Sequence, residues 1–277
     1  MMRYFIGGIL VLDYSIVSFG LKIFLDERLN IIHKCNIRNI KIQGEIMKVG
    51  IICAGDGEVA PFLPHICNRK ITEKAMLKFY EGSINDVEIV TLFSGVCKVN
   101  AAIATQILID TFHVDFIINA GVAGGMDKSL NIFDTVISTE VAYHDVDAGI
   151  LTEFHPWIES VFFQADENLV QFAKNAVKKI AHNYKIVFGR MVTGEQFIVS
   201  DNRKQINEKF SPLSVDMETA SIAHVCYVNK TPFISIRSIT DTEDHAGTEH
   251  FEVNLKKSSV IAKDITLALL QEMKKQG

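Results

Sequence analysis

Residues 87–120, VEIVTLFSGVCKVNAAIATQILIDTFHVDFIINA, decide the fold class of this chain. The stretch opens with an apolar, β-rich run at 87–93 and closes with another at 114–120. Between these runs, apolar residues recur at helical spacing over 98–112, which predicts a helix. Because a helix that joins two apolar strands normally makes them parallel, the sequence predicts a largely parallel sheet covered on both faces.

The same alternation of apolar strands and helix-length segments runs along the chain from Met47 onward. The predicted strands are 48–53, 87–93, 114–120, 134–139 and 231–239. The predicted helices are 58–66, 98–112, 167–181, 202–210, 217–229 and 254–275. No long linker or low-complexity stretch divides these elements, so we expect one three-layer α/β domain over residues 47–277. In such folds, ligands bind at the carboxyl ends of the strands.

Composition argues against several classes of protein and site. The 277 residues carry a net charge of −5 with the two signs well mixed, so no nucleic-acid partner is expected. The five cysteines are scattered and lack CxxC spacing, which argues against a disulfide framework and favours a reducing cytoplasm. Neither HDVD at 144–147 nor DTEDH at 241–245 matches a known ligand spacing, so we expect no metal.

Residues 1–46 differ from the rest of the chain. They are apolar but interrupted by charged residues, and the clean run at 4–12 is too short to span a bilayer, so no membrane partner is expected. The stretch Gln43-Gly44-Glu45 can be encoded by codons that contain a bacterial ribosome-binding sequence, at a distance that suits initiation at Met47. We therefore expect an N-terminal extension, either a translated leader or a poorly packed helix or hairpin.

Acidic and hydroxyl side chains follow the first two predicted strands. Asp56 and Glu58 lie at the start of the next predicted helix, where an acid either caps the helix or takes part in chemistry. Ser94 and Gly95 open the helix after the second strand. There, Ser94 is either a plain N-cap or part of a turn whose N–H groups bind an anion or a hydroxyl group.

Glycines and another acid follow two further predicted strands. Gly121, Gly124 and Gly125 in NAGVAGGM predict a tight turn that lets the backbone approach a flat ligand. The pattern is neither GxGxxG nor a P-loop, so dinucleotide and nucleoside triphosphate binding are poorly supported. Asp241 follows the last apolar strand, either as a helix cap or as a general acid.

Two acids stand at the entrance of a helix that otherwise suits a core. In PLSVDMETASIAHVC, residues 212–226, apolar residues recur at helical spacing, yet Asp216 and Glu218 flank Met217. A helix N-terminus stabilises a carboxylate through its dipole, so this entrance is a further candidate part of a site.

Several of these stretches occur together in the order, and close to the spacing, of one family. They are MKVGIICAGDGEV, FSGVCKVNAA, FIINAGVAGG, YHDVD, TGEQFI, VDMETASIAHVC and IRSITD. From Met47 to nearly its end, the chain resembles the 5′-methylthioadenosine/S-adenosylhomocysteine nucleosidases of the nucleoside phosphorylase superfamily. The resemblance implies a three-layer α/β/α sandwich with a central, mostly parallel, mixed sheet. It also implies a homodimer that hydrolyses the N-glycosidic bond of 5′-thio-substituted adenosines without a cofactor or metal.

The resemblance assigns roles to individual residues. Glu58 would activate the attacking water, Asp241 would protonate N7 of the adenine, and Glu218 would hold the ribose 2′- and 3′-hydroxyls. Asp216 is expected to support or cap, since the family usually has a longer acid there. The other implied contacts are Met217 on the sugar, Phe197 stacked on the base, the backbone of Ile198 at the adenine edge, Ser94 and Gly121 lining the pocket, and Phe251 closing it.

The chemistry asks for these residue types. Adenine leaves poorly as an anion, so an acid that a dry apolar pocket keeps protonated assists its departure. A carboxylate on the opposite face orients water towards the oxocarbenium-like ribose, and a further carboxylate fixes the ring through its hydroxyls.

Alternatives to this function remain open at this point. A purine nucleoside phosphorylase would need cations for phosphate, whereas the residues before Ser94 carry none, and Lys98 and Arg237 are interpreted as helix-surface and strand-end cations. A non-catalytic nucleoside-binding protein would have no need of Glu58. Departures from the family at Cys97, where glycine is usual, and at 148–160 leave the choice open among methylthioadenosine, S-adenosylhomocysteine, 5′-deoxyadenosine and aminodeoxyfutalosine.

Overall fold

The computed structural model describes residues 47–154, 158–198, 200–245 and 247–275. The chain divides into two units between Glu45 and Ile46, and every described residue belongs to the second unit. The N-terminal extension predicted for residues 1–46 lies outside the described residues, as do His155 and Trp157 of the unusual segment 148–160.

The described residues form one mixed sheet with helices around it. The strands are β1 (Lys48–Cys53), β2 (Cys67–Lys74), β3 (Leu77–Ile84), β4 (Val87–Phe93), β5 (Phe116–Gly125), β6 (Thr135–Tyr143), β7 (Phe162–Gln164), β8 (Ile186–Thr193), β9 (Ser214–Asp216) and β10 (Phe233–Asp241). The helices are α1 (Asp56–Val59), α2 (Lys98–Asp110), α3 (Ala148–Glu153), α4 (Glu167–Val177), α5 (Ser200–Phe210), α6 (Thr219–Asn229) and α7 (Thr248–Lys274), with a 3₁₀ turn at Leu63–His65. This arrangement confirms the predicted fold class.

The central strands run in one direction. β4, β1, β5 and β10 pair in parallel in that order. Beyond β10 the sheet continues through β6, β8 and β9 and returns to β5, so that one end of the sheet closes on itself. The carboxyl ends of the four parallel strands therefore meet at one edge, as the βαβ pattern predicts.

Helices cover both faces of the sheet. On one face, α1, α4 and α7 pack against a core cluster that includes Val59, Leu169 and Ile265. On the other face, α2 and α6 contribute Leu108 and Ile222 to a second cluster. Because strands buried on both faces cannot alternate with polar residues, they read as the continuous apolar runs seen in the sequence.

The helix predicted at 58–66 is wrong. Only Asp56–Val59 is α-helical, and a separate 3₁₀ turn covers Leu63–His65. Pro61 and Pro64 account for the break, because proline lacks the backbone N–H and its ring clashes with the preceding helical turn.

The glycine turn predicted after residue 120 is also wrong. β5 continues through Gly121 and Gly124 to Gly125; Gly121 and Gly124 pair with β10, with a register shift before Gly124, and Gly125 pairs with β9. A Cβ atom on Gly121 would lie 2.2 Å from Oε1 of Glu58, and one on Gly124 would lie 3.1 Å from Oδ2 of Asp241. These glycines therefore make room for two acidic side chains against a continuing strand.

The sequence interpretation missed β2, β3, β7, β8 and β9. β2 is almost entirely exposed and has no apolar run, which is typical of an edge strand. The two hairpin turns are set by Ala75-Met76 and Asn85-Asp86, and all four residues have positive φ. Positive φ at both central positions is the geometry of a two-residue hairpin turn, and Asn-Asp was a signal for it in the sequence.

Among the helices in the described part of the chain, none combines the length and the apolar character needed to cross a bilayer.

Candidate active site

A buried arginine organises the carboxyl-terminal edge of the sheet. Arg237, in the middle of β10, is 1% exposed. Its guanidinium lies 3.5 Å from Glu58, 3.5 Å from Asp216 and 3.3 Å from Glu218. Burial acts to lower the pKa of Arg237, but the three carboxylates outweigh it and raise the pKa above its usual value. Arg237 thus holds together three acids, one on α1 and two at the junction of β9 and α6, and it lies in the middle of β10 rather than at a strand end, as the sequence had suggested.

The guanidinium of Arg237 is also anchored to neutral groups. Its Nε donates to Oδ1 of Asn119 at 3.1 Å and its Nη1 donates to the carbonyl of Val122 at 3.1 Å. Oδ1 of Asn119 accepts from the hydroxyls of Thr219 and Ser235 as well. A charge buried this deeply requires such partners, and they fix the direction in which Arg237 presents its donors.

Glu58 is held in one position by the backbone. Its Oε2 accepts hydrogen bonds from the N–H groups of Ala54 at 2.6 Å and Gly55 at 2.9 Å. Its Oε1 accepts from Val122 N at 2.7 Å. The bond to Gly55 caps α1, which confirms the capping interpretation of Glu58, while its part in chemistry stays a prediction.

Glu218 is the residue that precedes α6. Its Oε1 accepts from the backbone N–H of Cys97 at 3.0 Å, and its Oε2 faces Arg237. Burial raises the pKa of Glu218 to about 7, against the opposing effect of Arg237 and together with repulsion from Asp216 and Glu58. This carboxyl group therefore gains or loses its proton close to neutral pH.

Asp216 supports the start of α6, as predicted. Its Oδ1 accepts from the backbone N–H groups of Glu218 at 3.1 Å and Thr219 at 2.9 Å. The same oxygen accepts from the Thr193 hydroxyl at 2.7 Å, and Oδ2 lies against the oxygen of the Thr219 hydroxyl. These contacts confirm that Asp216 caps the helix, and they fix the backbone of Glu218.

Asp241 lies apart from the arginine cluster, at the last position of β10. It is 2% exposed, and its Oδ1 accepts from the Thr240 hydroxyl at 2.9 Å. Burial raises the pKa of Asp241, while the Thr240 hydrogen bond and the charges of Arg203 and His250 act in the opposite direction. The next helix is preceded by Gly247 and has no side-chain cap, so the helix-cap alternative for Asp241 is wrong.

The other predicted contacts are mostly apolar residues. Phe197 and Phe251 meet edge to face, with ring centroids 6.2 Å apart, and Phe197 is 38% exposed. Ile198 is buried in a cluster with Met126 and Val215. Met217, between the two acids at the start of α6, is half-buried. The contact of these residues with a substrate stays a prediction.

Ser94 is buried at the end of β4. Its hydroxyl donates 2.8 Å to the carbonyl of Gly95 and also lies 3.2 Å from the carbonyl of Cys53. The residue that precedes α2 is Cys97, so Ser94 is not the N-cap of that helix.

Two buried arginines are the main additions to the predicted site. Arg237 had a signal in the sequence, because a charged residue inside the apolar run FISIRSITD is rarely buried without partners. Arg203, on α5, is 2% exposed and lies 3.5 Å from Asp241, but nothing marks it within a polar helix. In the described part of the chain, no group of three His, Cys, Asp or Glu side chains is arranged to hold a metal ion.

The chain is similar to known proteins over most of its length. The family model of the phosphorylase superfamily matches residues 48–271. A 5′-methylthioadenosine/S-adenosylhomocysteine nucleosidase of Colwellia psychrerythraea is 37% identical over 239 residues, which cover 82% of this chain and 97% of that protein.

Solved structures give the same result. The crystal structure of the Colwellia nucleosidase in complex with adenine has a TM-score of 0.76 at 36% identity and covers 82% of this chain and 96% of its own. The Neisseria meningitidis nucleosidase in complex with methylthio-immucillin-A has a TM-score of 0.75 at 31% identity, covering 81% and 98%. Futalosine hydrolase of Helicobacter pylori has a TM-score of 0.75 at 27% identity, covering 82% and 98%. This chain therefore belongs to the phosphorylase superfamily and, within it, to the 5′-methylthioadenosine/S-adenosylhomocysteine nucleosidase family.

Proposed function

We propose that this protein hydrolyses the N-glycosidic bond of 5′-thio-substituted adenosines and releases adenine and the ribose moiety. The observation that carries the proposal is that three buried acids are held at separate positions by two arginines. Glu58 and Glu218 contact opposite ends of the Arg237 guanidinium, whereas Asp241 lies apart, beside Arg203. Family membership and this geometry support the same reaction.

Asp241 is suited to act as the general acid. Burial raises its pKa, so it retains a proton at a higher pH than an exposed aspartate does. In the proposed reaction, it donates that proton to N7 of adenine, and the base departs as a neutral molecule. Proton transfer of this kind accelerates a reaction by roughly 10²–10⁴.

Glu58 is suited to orient the attacking water. Three backbone N–H groups fix its carboxylate, so the lone pairs that remain have a defined direction. Gly121 and Gly124, whose Cβ positions adjoin Glu58 and Asp241, are three residues apart along β5, which spans roughly 10 Å. Glu58 and Asp241 therefore adjoin β5 at two separate positions.

Glu218 is suited to hold the ribose hydroxyls. The N–H of Cys97 and the guanidinium of Arg237 fix its carboxyl group at the start of α6. A negative charge at this position also stabilises the oxocarbenium-like ribose that forms as the bond breaks.

Water is favoured over phosphate as the nucleophile. The two cations considered from the sequence are already engaged: Arg237 by three carboxylates, and Lys98 by Asp145 at 3.0 Å and the ring of Tyr143 at 5.2 Å. A phosphate dianion would need free arginine or N–H donors. The mechanism uses no cofactor and no metal.

The test is adenine release from the four candidate nucleosides, measured with and without phosphate. We expect release that does not depend on phosphate; release only in its presence would identify a phosphorylase. The structural likeness to futalosine hydrolase is the reason to include aminodeoxyfutalosine in the panel.

A matched pair of variants tests the mechanism. Glu58→Gln should abolish turnover while the protein still binds the nucleoside, which also separates an enzyme from a binding protein. Asp56→Asn is the control, because the Asp56 side chain is exposed on the same turn and accepts a hydrogen bond from Gly57 N. Unchanged activity in Glu58→Gln would contradict the proposed role.

We also propose a cytoplasmic homodimer. Apolar side chains that are at least 41% exposed occur on or beside α2, α3 and α6: Val96, Val99, Ile103, Ile150, Phe154, Tyr227 and Val228. Exposed apolar surface of this kind is typical of an interface. The free thiols of Cys53, Cys67, Cys97 and Cys226 fit a reducing compartment.

A further inference from the structure

A buried ion pair joins α5 to the end of β10. The side chains of Arg203 and Asp241 are each 3% exposed, and Nη2 of Arg203 lies 3.5 Å from Oδ2 of Asp241. Nη1 of Arg203 donates to the carbonyl of Gly125, the last residue of β5. Arg203 therefore links the proposed general acid to the strand beside it.

The pair is not saturated in the way of a purely structural ion pair. The contact involves one nitrogen and one oxygen, and Nε of Arg203 has no hydrogen-bond partner among the described residues. A buried charged donor without a partner costs stability, and such cost is usual at functional sites.

The charge of Arg203 matters most after the proton has left. When a buried carboxyl group gives up its proton, the carboxylate that remains is expensive unless a cation stabilises it. Burial alone would keep Asp241 protonated but would make it a poor donor. A guanidinium at 3.5 Å reduces that penalty, so the acid both retains its proton and can release it.

Two other charged groups among the described residues act on the pair. His250, exposed at the start of α7, acts on Asp241 in the same direction as Arg203. Glu243, in the loop after β10, acts on Arg203. Both are more accessible to solvent than the ion pair, so salt screens their effects more strongly.

We propose that Arg203 is a positioning residue for the general acid. Arg203 holds the carboxyl group of Asp241 and stabilises the carboxylate that is left after Asp241 has protonated the base. The inference rests on the proposed function, because it assigns a partner to the acid of that reaction.

The experiment compares Arg203→Gln, Arg203→Met and Arg203→Lys with the wild type. The pH profile of kcat/KM for adenine release from methylthioadenosine has an alkaline limb where the general acid loses its proton, and Asp241→Asn identifies that limb by removing it. Loss of the positive charge should move the limb to higher pH by about one unit and lower kcat by about tenfold. Arg203→Lys keeps the charge, so its limb should stay close to that of the wild type.

The outcomes separate this inference from the function on which it rests. No adenine release by the wild type overturns the proposed function and the inference with it. An active wild type whose alkaline limb coincides with that of Arg203→Gln overturns the inference alone. A structural role would lower the melting temperature or raise KM in all three variants without moving the limb. If both neutral variants fail to fold, Arg203 is a structural residue and the proposal is overturned.

Discussion

At the scale of single residues, the site depends on side chains whose environment contradicts their ordinary preferences. Arg237 is fully buried, and Glu218, beside it, has a pKa raised to about 7. Cys97 has φ 81° and ψ 164°, a backbone region that is essentially reserved for glycine. Strain and buried charge of this kind lower stability, and active sites are where proteins retain them.

The backbone conformation of Cys97 predicts that glycine is more stable than alanine at this position, the reverse of their order within a helix. Cys97→Gly should be more stable than Cys97→Ala by about 1 kcal/mol or more, because glycine adopts this φ without strain. Urea denaturation measures the difference. Cys226→Gly and Cys226→Ala are the matched controls, since Cys226 lies in the interior of α6 and alanine should be the more stable residue there. Equal stability of the two Cys97 variants would contradict the prediction.

The raised pKa of Glu218 predicts a pH-dependent stability. The pKa of Glu218 in the folded protein, about 7, exceeds its ordinary value of 4.5. Glu218 therefore contributes fully to the free energy of unfolding below pH 4.5, and this contribution is lost as the pH rises through about 7. The unfolding free energy of Glu218→Gln, relative to that of the wild type, should therefore increase by up to about 3 kcal/mol between acid pH and pH 8, while the variant loses activity.

Urea denaturation of both proteins at acid and alkaline pH checks this sign. Glu208→Gln is the control, because Glu208 is exposed on α5. A difference in unfolding free energy between the wild type and Glu218→Gln that stays constant with pH would show that Glu218 does not titrate as described.

At the scale of elements, short segments position the acids. α1 has only four residues, β9 has three, and β9 leads directly to the start of α6. Elements this short are not stable by themselves, since helix nucleation is costly. They hold their shape because Glu58 and Asp216 bond to backbone N–H groups and to Arg237.

The entrance of α6 predicts an unusually costly cap. Asp216→Ala should destabilise the protein by about 3 kcal/mol, because it removes two backbone caps and leaves Arg237 with one carboxylate fewer. Asp166→Ala is the comparison, because Asp166 caps α4 through Asn168 N and Leu169 N and should cost about 1 kcal/mol. Denaturation in urea gives both values. An Asp216 variant no less stable than the Asp166 variant would show that Asp216 only caps.

At the scale of the whole molecule, the closed end of the sheet and its parallel strands bring distant segments together. Glu58, Glu218 and Asp241 come from the two halves of the chain and share one region of the molecule only because β1, β5, β9 and β10 belong to one sheet. The exposed apolar surface on α2, α3 and α6 extends the organisation to a second copy of the chain, as proposed above.

The proposed dimer predicts a change in assembly when that surface becomes charged. The double variant Val99→Lys/Ile103→Lys should sediment as a single chain, because two buried lysines are incompatible with an apolar interface. Met76→Lys is the control, since Met76 is fully exposed at the tip of the β2–β3 hairpin and should leave the dimer intact. Sedimentation velocity measures all three proteins. Wild-type protein that sediments as one chain would contradict the dimer.

The sequence predicted the central strands and helices better than the strands at the edge of the sheet. β1 and β4 have their predicted bounds, and α2 and α6 lie within theirs, because long apolar runs and clear helical spacing depend little on context. The hairpin of β2 and β3 escaped prediction because an edge strand needs no apolar face. The glycines of β5 suggested a turn because nothing local shows that Glu58 and Asp241 occupy the space beside them.

By itself, the sequence determined the fold class, the family and the identity of the candidate acids, since each depends on residue types and their order along the chain. Only the tertiary structure decided how those acids are grouped. Arg237 binds Glu58, Asp216 and Glu218, and Arg203 binds Asp241, through contacts between residues that are 19 to 179 positions apart along the chain. The energy of a buried charge depends on which groups surround it in space, and chain order alone does not specify them.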